Sequence, residues 1–298
     1  MTTELRIERG DAVLAASYSP AGGTAIVALH AAGEGTREGR LHRALYEHLH
    51  AVLPPAGIGV VTFDRRGEGE STGDATRGRF RAQAEDALAV AATIDVERVG
   101  LWGYSQGGWV APIAATMSDR IAFLVLVASI GVTPREQMLY ATAEQLRLAG
   151  FDETVVERAL DLRHRFEDWV RGRGREQEAE LRADLLAALD EDWFGLLFLP
   201  PVLLDEEGCA LWIEEMDFDP RAVFAQVRVP TLSFYGEADS WAPIPPSVEA
   251  WRAARGNEVE IVVIPEAEHE LVLPDGTLAP EYERTLVDWV RRQSVDGG

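Results

Sequence analysis

The stretch Val99-Gly100-Leu101-Trp102-Gly103-Tyr104-Ser105-Gln106-Gly107-Gly108 joins a short apolar run to a serine with glycine two residues away on either side. An amphipathic segment follows, marked by Trp109, Val110, Ile113 and Met117 at helical spacing. Strand, tight turn and helix form the setting in which G-x-S-x-G has chemical meaning. A serine at the tip of such a turn sits in a backbone conformation that is strained for a residue with a side chain, and its crowded neighbours must be small. The helix beyond aims free N–H groups and the positive end of its dipole at the serine. A glycine-rich connection with an incidental serine is the alternative, and the flanking elements argue against it.

Outward from this turn, the chain alternates short apolar runs with polar loops and longer amphipathic segments. That rhythm predicts an α/β fold with a mainly parallel sheet and helices on both faces. Buried strands are expected at Ala25–Leu29, Gly59–Phe63, Val99–Trp102, Phe123–Ala128, Thr231–Tyr235 and Glu260–Ile264. Residues 4–18 fit an antiparallel pair. Helical stripes run through Phe80, Ala84, Ala87, Leu88 and Ala91, and through Tyr282, Leu286, Trp289 and Val290. The rhythm breaks after Val132. Residues 133–226 offer no convincing strand, so the core is expected to be 1–132 with 227–298, and 133–226 a mostly helical insertion. Within it, Val155, Ala159, Leu162, Phe166 and Trp169 form a stripe capped by Asp152, and Leu181, Leu185 and Leu189 resume the helix after Arg171-Gly172-Arg173-Gly174. Trp193–Leu204, with Pro200-Pro201, reads as bent or looped.

A serine needs a base. The chain has six histidines. His42, His48 and His50 lie on a charged helical segment and read as solvated surface, with His48 and His50 on different faces and no metal pair. His164 falls in a charged helix, and His30 closes a strand where loop hydrogen bonds explain it. His269 follows the strand ending at Ile264, and a loop at a strand's C-terminal end is where an open α/β sheet places its chemistry. The acid should lie between serine and histidine in chain order. Phe234-Tyr235-Gly236-Glu237-Ala238-Asp239-Ser240 supplies Asp239, with Glu237 as its rival.

Composition narrows the field. The 298 residues carry a net charge of −22, from 50 acids against 28 bases, which argues against nucleic acid and anionic membranes as partners and leaves a small-molecule substrate. Every base is arginine, and without lysine there is no Walker A loop and no pyridoxal-phosphate Schiff base. Cys209 is the only cysteine, so no intramolecular disulfide and no cysteine-rich metal site forms. The polar start, Met1 to Asp11, has no apolar stretch of signal-peptide type, and a cytoplasmic protein is expected.

These residues together resemble the α/β-hydrolase superfamily, and its esterase and serine-aminopeptidase-like branch in particular. The resemblance rests on the elbow around Ser105, on the loops carrying Asp239 and His269, and on two further stretches. Val27-Ala28-Leu29-His30-Ala31-Ala32-Gly33 looks like the family's oxyanion loop, and Phe63-Asp64-Arg65-Arg66-Gly67-Glu68-Gly69-Glu70-Ser71 is similar to its D-x-R-G-x-G-x-S turn. It implies an α/β-hydrolase fold with residues 133–226 as a helical cap, Ser105, Asp239 and His269 as catalytic residues, and the backbone N–H groups of Gln106 and Ala32 as oxyanion donors. No metal or organic cofactor is implied. The family usually has His-Gly where this chain has His30-Ala31, and alanine enters positive φ less freely than glycine. Gly67, Gly69 and Gly73 also suggest a dinucleotide loop, but the spacing is one residue too long and reads as a structural turn.

The leading expectation is hydrolysis of a carboxylic ester or lactone through an acyl-enzyme. Thioester or amide cleavage would use the same parts, as would acyl transfer or a lyase. Peptidase relatives anchor a free amine with cap acids, for which Glu214, Glu215, Asp217 and Asp219 are candidates. Trp193 and Trp212, with Phe194 and Phe198, suggest an apolar pocket, to which Tyr104 and Trp241 would add. Packing inside the insertion explains the first four equally well.

Overall fold

A computed structural model of the protein describes residues 2–33, 35–39, 42–75 and 79–295. The chain divides into two compact units. The first comprises 1–131, 220–239 and 244–298, and the second 132–219 with 240–243.

The first unit is built on an eight-stranded sheet. Its strands are β1 (Thr3–Arg9), β2 (Ala12–Ser19), β3 (Thr24–Leu29), β4 (Ile58–Phe63), β5 (Arg98–Tyr104), β6 (Ile121–Val127), β7 (Thr231–Gly236) and β8 (Val259–Ile264). The order across the sheet is β1-β2-β4-β3-β5-β6-β7-β8. β1 pairs antiparallel with β2 and β2 with β4, and the remaining neighbours are parallel. All six expected strands and the N-terminal antiparallel pair are present. β8 departs from expectation because it is the sheet's edge. Glu260 is exposed and Val263 is 42% exposed, so this strand is covered only in part.

Helices α1 (Arg43–Val52), α2 (Phe80–Ala92) and α3 (Gly107–Met117) join strands in the first half of the chain. Alternation along the strands sends Trp102, Tyr104, Phe123 and Val125 to the face where Leu45, Tyr46 and Leu49 of α1 pack. Four residues of a C-terminal helix, Tyr282, Leu286, Trp289 and Val290, complete that layer. Trp102 Nε1–H donates to the Tyr282 hydroxyl at 2.9 Å, which satisfies a polar atom inside this core.

β3 and β5 are neighbours, yet the connection from β3 runs to β4 on one side and the chain then crosses back to β5 on the other. This reversal leaves a crevice beyond the strand ends, where open α/β sheets bind ligands. The loop after β3 and the turn after β5 both open there.

The second unit is helical, and no strand lies in 128–230 among the described residues. It contains α4 (Pro134–Leu148), α5 (Glu153–Val170), α6 (Glu178–Ala188) and α7 (Glu206–Met216). Thr133 and Glu136 form a capping box at the start of α4, with Pro134 as the first helical residue. Asp152 caps α5 by accepting from Val155 N–H, as its position suggested. The core of this unit gathers Leu146, Leu162, Phe166, Trp169, Leu181 and Trp193.

The boundary expected at 226 falls at 219 instead. The short helix α8 (Pro220–Phe224) belongs to the first unit because Phe224 stacks on Trp251 of α9 (Ile244–Arg255), with ring centroids 3.8 Å apart. Residues 240–243 group with the second unit: Gln137 donates to Trp241 O at 3.0 Å, and Gln145 to Ser240 Oγ at 2.8 Å. The C-terminal helix α10 spans Pro280–Val295. Among the described residues no helix is long and apolar enough to cross a membrane.

Candidate active site

β5 ends at Tyr104 and α3 begins at Gly107, so two residues make the whole turn. Ser105 has φ of +52°, a left-handed conformation costly for a residue with a side chain. Its N–H donates to Val127 O at 2.9 Å, and its C=O accepts from Gly108 N–H at 2.8 Å, which hold the strained residue in place. The flanking glycines are required by space. A Cβ on Gly103 would overlap Gly107 O, and one on Gly107 would lie 2.9 Å from Leu29 O. The spacing of the motif is therefore a packing requirement of this turn.

Two loops bring their side chains to Ser105. The His269 loop after β8 passes through left-handed conformations at Glu266 (φ +59°) and Leu271 (φ +60°). The loop after β7 is stitched to it, because Glu237 N–H donates to Ile264 O and Ala238 N–H to Ala267 O, both at 2.9 Å. Gly236 sits where the two loops cross, and a Cβ there would overlap Glu268 O. His269 Nδ1 lies 2.7 Å from Asp239 Oδ2, and His269 Nε2 lies 3.0 Å from Ser105 Oγ. In this arrangement Nδ1–H donates to the carboxylate, leaving Nε2 to accept from the serine hydroxyl. Asp239 is 3% exposed. Glu237 is exposed and accepts from Glu266 N–H at 3.3 Å, so of the two candidate acids only Asp239 reaches the histidine.

The loop after β3 runs beside this turn. Ala31 keeps an ordinary φ: among the described residues of 30–33 only Gly33 is left-handed, at +86°. His30 is buried, stacked on Tyr46 and edge-on to Phe63. Burial, with the Arg65 charge nearby, holds its pKa well below the ordinary histidine value. Gln106, the other assigned donor, is buried and is the N-cap residue of α3, so its backbone N–H lies at a helix N-terminus.

Tyr104 is buried beside His269, with ring centroids 5.2 Å apart, and also lies edge-on to His42 at 4.9 Å. Burial, reinforced by Glu270 and Asp239, pushes its phenol well above the usual range. The remaining pocket candidates belong to the second unit. Trp193 is 2% exposed within that unit's own core. Trp212 packs edge-on to Phe166 and donates to Glu167 Oε2 at 3.2 Å, and Trp241 lies against Phe198. Of the acids considered for an amine anchor, Asp217 is paired with Arg171.

Several residues escaped the sequence reading. His42 is not solvated surface: its Nδ1 lies 2.7 Å from Glu270 Oε1, in the residue after His269. His48 and His50 are also partly covered, His50 lying against Ser19 and Thr62. Their partners are far along the chain, so helical spacing could not reveal them. His164 is exposed. In the turn after β4, Asp64 accepts N–H groups from Arg37 and Glu70, Ser71 Oγ–H donates to Asp64 O, and Arg66 grips Asp86 with two bonds of 2.8 and 2.6 Å. Gly67, Gly69 and Gly73 are left-handed there, and the segment is a structural turn.

Comparison with known proteins agrees with the architecture. The chain is similar to the dihydrolipoyllysine-residue acetyltransferase component of an acetoin cleaving system from Pseudomonas putida, 29% identical over 255 residues that cover 83% of this chain and 59% of that one. It thus spans less than two thirds of this curated relative's length. In structure it is similar to an esterase from Pyrococcus furiosus, with TM-score 0.66, 15% identity and coverage of 98% of this chain and 91% of that one. A proline iminopeptidase from Mycobacterium smegmatis superposes with TM-score 0.64 at 15% identity, covering 99% and 100%. At such identities the two structures speak for the fold alone. Residues 26–280 match the alpha/beta hydrolase family, and with the eight-stranded sheet this establishes that the chain belongs to that family.

Proposed function

We propose that this chain is a serine hydrolase that cleaves a carboxylic ester or lactone through an acyl-enzyme on Ser105. The observation that carries the reading is the continuous chain from Ser105 Oγ to His269 Nε2 (3.0 Å) and from His269 Nδ1 to the buried Asp239 (2.7 Å). Ser105 Oγ attacks the carbonyl carbon while His269 takes its proton. The tetrahedral oxyanion is held by the N–H groups of Gln106 and Ala32. Collapse expels the alcohol, which receives the proton from His269, and water then attacks the acyl group by the same steps. Asp239 holds the imidazole in the correct tautomer and stabilises its charged form. The partner is a small-molecule substrate, and these steps use side chains, backbone and water.

Incubation with a fluorophosphonate tests the nucleophile: adduct on Ser105 supports the reading, and its absence from folded protein rejects it. A panel of esters, lactones, thioesters and aminoacyl amides then sorts the substrate class. A second reading, transfer of the acyl group to an acceptor other than water, draws on the acetyltransferase name of the Pseudomonas putida relative. Product analysis with a thiol or alcohol acceptor present separates it from hydrolysis.

A further inference from the structure

Arg65 follows Asp64 beyond the end of β4, and its backbone N–H donates to Gly35 O at 2.7 Å. Its guanidinium runs beneath the loop after β3. Nη2 donates to Ala31 O, and Nη1 donates to Gly33 O at 3.1 Å. Nη2 also donates to Gln106 Oε1, at 3.0 Å. The side chain packs so closely under the loop that a Cβ on Gly35 would overlap it. One cation thus touches the carbonyl of the peptide unit that carries Ala32 N–H and the side chain of Gln106, whose own N–H is the other assigned oxyanion donor.

The peptide bond explains why this matters. A trans peptide is planar, so its C=O and the N–H of the next residue point in opposite directions. Ala31 C=O and Ala32 N–H belong to one such unit. A guanidinium that holds Ala31 O on one side sets the direction of Ala32 N–H on the other. Its positive charge also polarises that amide, which strengthens the N–H as a donor. On the other side of Ser105, the Gln106 side chain is tied to the same guanidinium, which restrains the residue whose N–H is the second donor.

We propose that Arg65 is the positioning residue of the oxyanion hole, fixing the Ala31–Ala32 peptide and Gln106 at a set separation through a single planar fork. The inference rests on the reading of Ser105 as nucleophile. It also accounts for Ala31 where the family usually has glycine. The loop does not take its shape from a left-handed residue at that position; it is held from behind by three hydrogen bonds from Arg65. A lysine could hold one of these acceptors but could not span the fork.

The test is steady-state kinetics on an ester substrate, with melting temperatures, for Arg65→Met and Arg65→Lys. Loss of a whole oxyanion donor costs about 10²–10³ in kcat, so a misaligned pair should cost about 10- to 100-fold in Arg65→Met, with KM changed by less than about threefold. Affinity for a trifluoromethyl ketone, whose adduct with Ser105 carries the oxyanion, should fall by the same factor as kcat/KM. Arg65→Lys should recover part of the loss. A folded Arg65→Met with kcat within about twofold of wild type, or a loss confined to KM, overturns the proposal. If Arg65→Met does not fold, Gln106→Ala cuts the tie on one side, and an unchanged kcat there overturns it equally. Wild-type protein that is neither labelled by a fluorophosphonate nor active on any ester would instead overturn the Ser105 reading, and this one with it.

Discussion

Asp239 of the first unit and the Arg163–Glu167 pair of the second are buried in different settings. In the first, the buried carboxylate of Asp239 lies in a loop just beyond a strand end and faces another loop. In the second, Arg163 and Glu167 are both fully buried one turn apart on α5. Glu167 there accepts from Arg171 at 2.5 Å and from Trp212 at 3.2 Å, while Arg163 reaches Leu197 O and lies 3.5 Å from Glu167. Burial lowers the Arg163 pKa to about 10, with Glu167 opposing that shift. The contrast has a geometric origin. Parallel strands end on one edge of their sheet, which brings their loops together there. A helical unit has no common edge, and buried polar side chains tie its segments together. Asp239 is therefore expected to serve chemistry and the Arg163–Glu167 pair cohesion, as the buried Arg66–Asp86 pair does within the first unit.

The largest effect should come from the first unit. Ser105→Ala should leave the fold intact and reduce turnover by about 10⁴ or more, and a folded mutant with a tenth of wild-type activity would reject the assignment. Asp239→Asn should cost about 10⁴, because the histidine tautomer is no longer enforced, whereas Glu237→Gln should cost far less. Reversed effects would mean that the exposed glutamate, not the buried aspartate, orients His269.

In the second unit the same class of change should appear as lost stability. Glu167→Ala strips Arg163, Arg171 and Trp212 of a shared acceptor and should cost ~3–5 kcal/mol, the usual penalty for leaving a buried charge uncompensated. Trp193→Ala removes a buried ring from the core of this unit and should cost ~3–5 kcal/mol. Melting temperature and phosphonate labelling, measured on the same proteins, give the comparison. Lower melting with unchanged Ser105 reactivity at low temperature is expected. Unchanged melting with an altered ester-panel pattern would turn the comparison around and give Trp193 a role in selectivity.

The smallest effect concerns pH. Burial depresses the pKa of His30, His48 and His50, all in the first unit. Each binds a proton more readily in the unfolded chain than in the folded one. Their contribution is fully present above the ordinary histidine value of ~6.5 and is lost as pH falls below it, at no more than ~1.4 kcal/mol per pH unit for each proton. Unfolding free energy measured from about pH 7 to 5 should therefore decline, and His30→Phe should decline less steeply by up to one proton. Equal slopes in the two proteins would show that His30 is not held neutral by the fold.

Local pattern carries much of this protein. Apolar runs bounded by turn residues mark the strands because a strand covered on both faces must be apolar throughout. The spacing of Gly103, Ser105 and Gly107 marks the turn because a side chain at either glycine would collide with backbone nearby in sequence or in the adjoining loop. Chain order narrows the histidine and the acid, since successive strands deliver their loops to the same edge. These are features in which short-range geometry and composition suffice.

Tertiary structure decided what depends on residues far apart in the chain. Asp239 and Glu237 are two residues apart and chemically alike, and only the stitching of the two loops through Ala238 and Ala267 turns one towards His269 and leaves the other outside. The end of the second unit at 219 follows from the stacking of Phe224 on Trp251, which no local periodicity encodes. His42 finds Glu270 across 228 positions of sequence. Arg65 reads as one arginine of an abundant set until the sheet places β3, β4 and β5 side by side, with β3 in the middle. Its long side chain can then reach the loop after β3 and the turn after β5 at once.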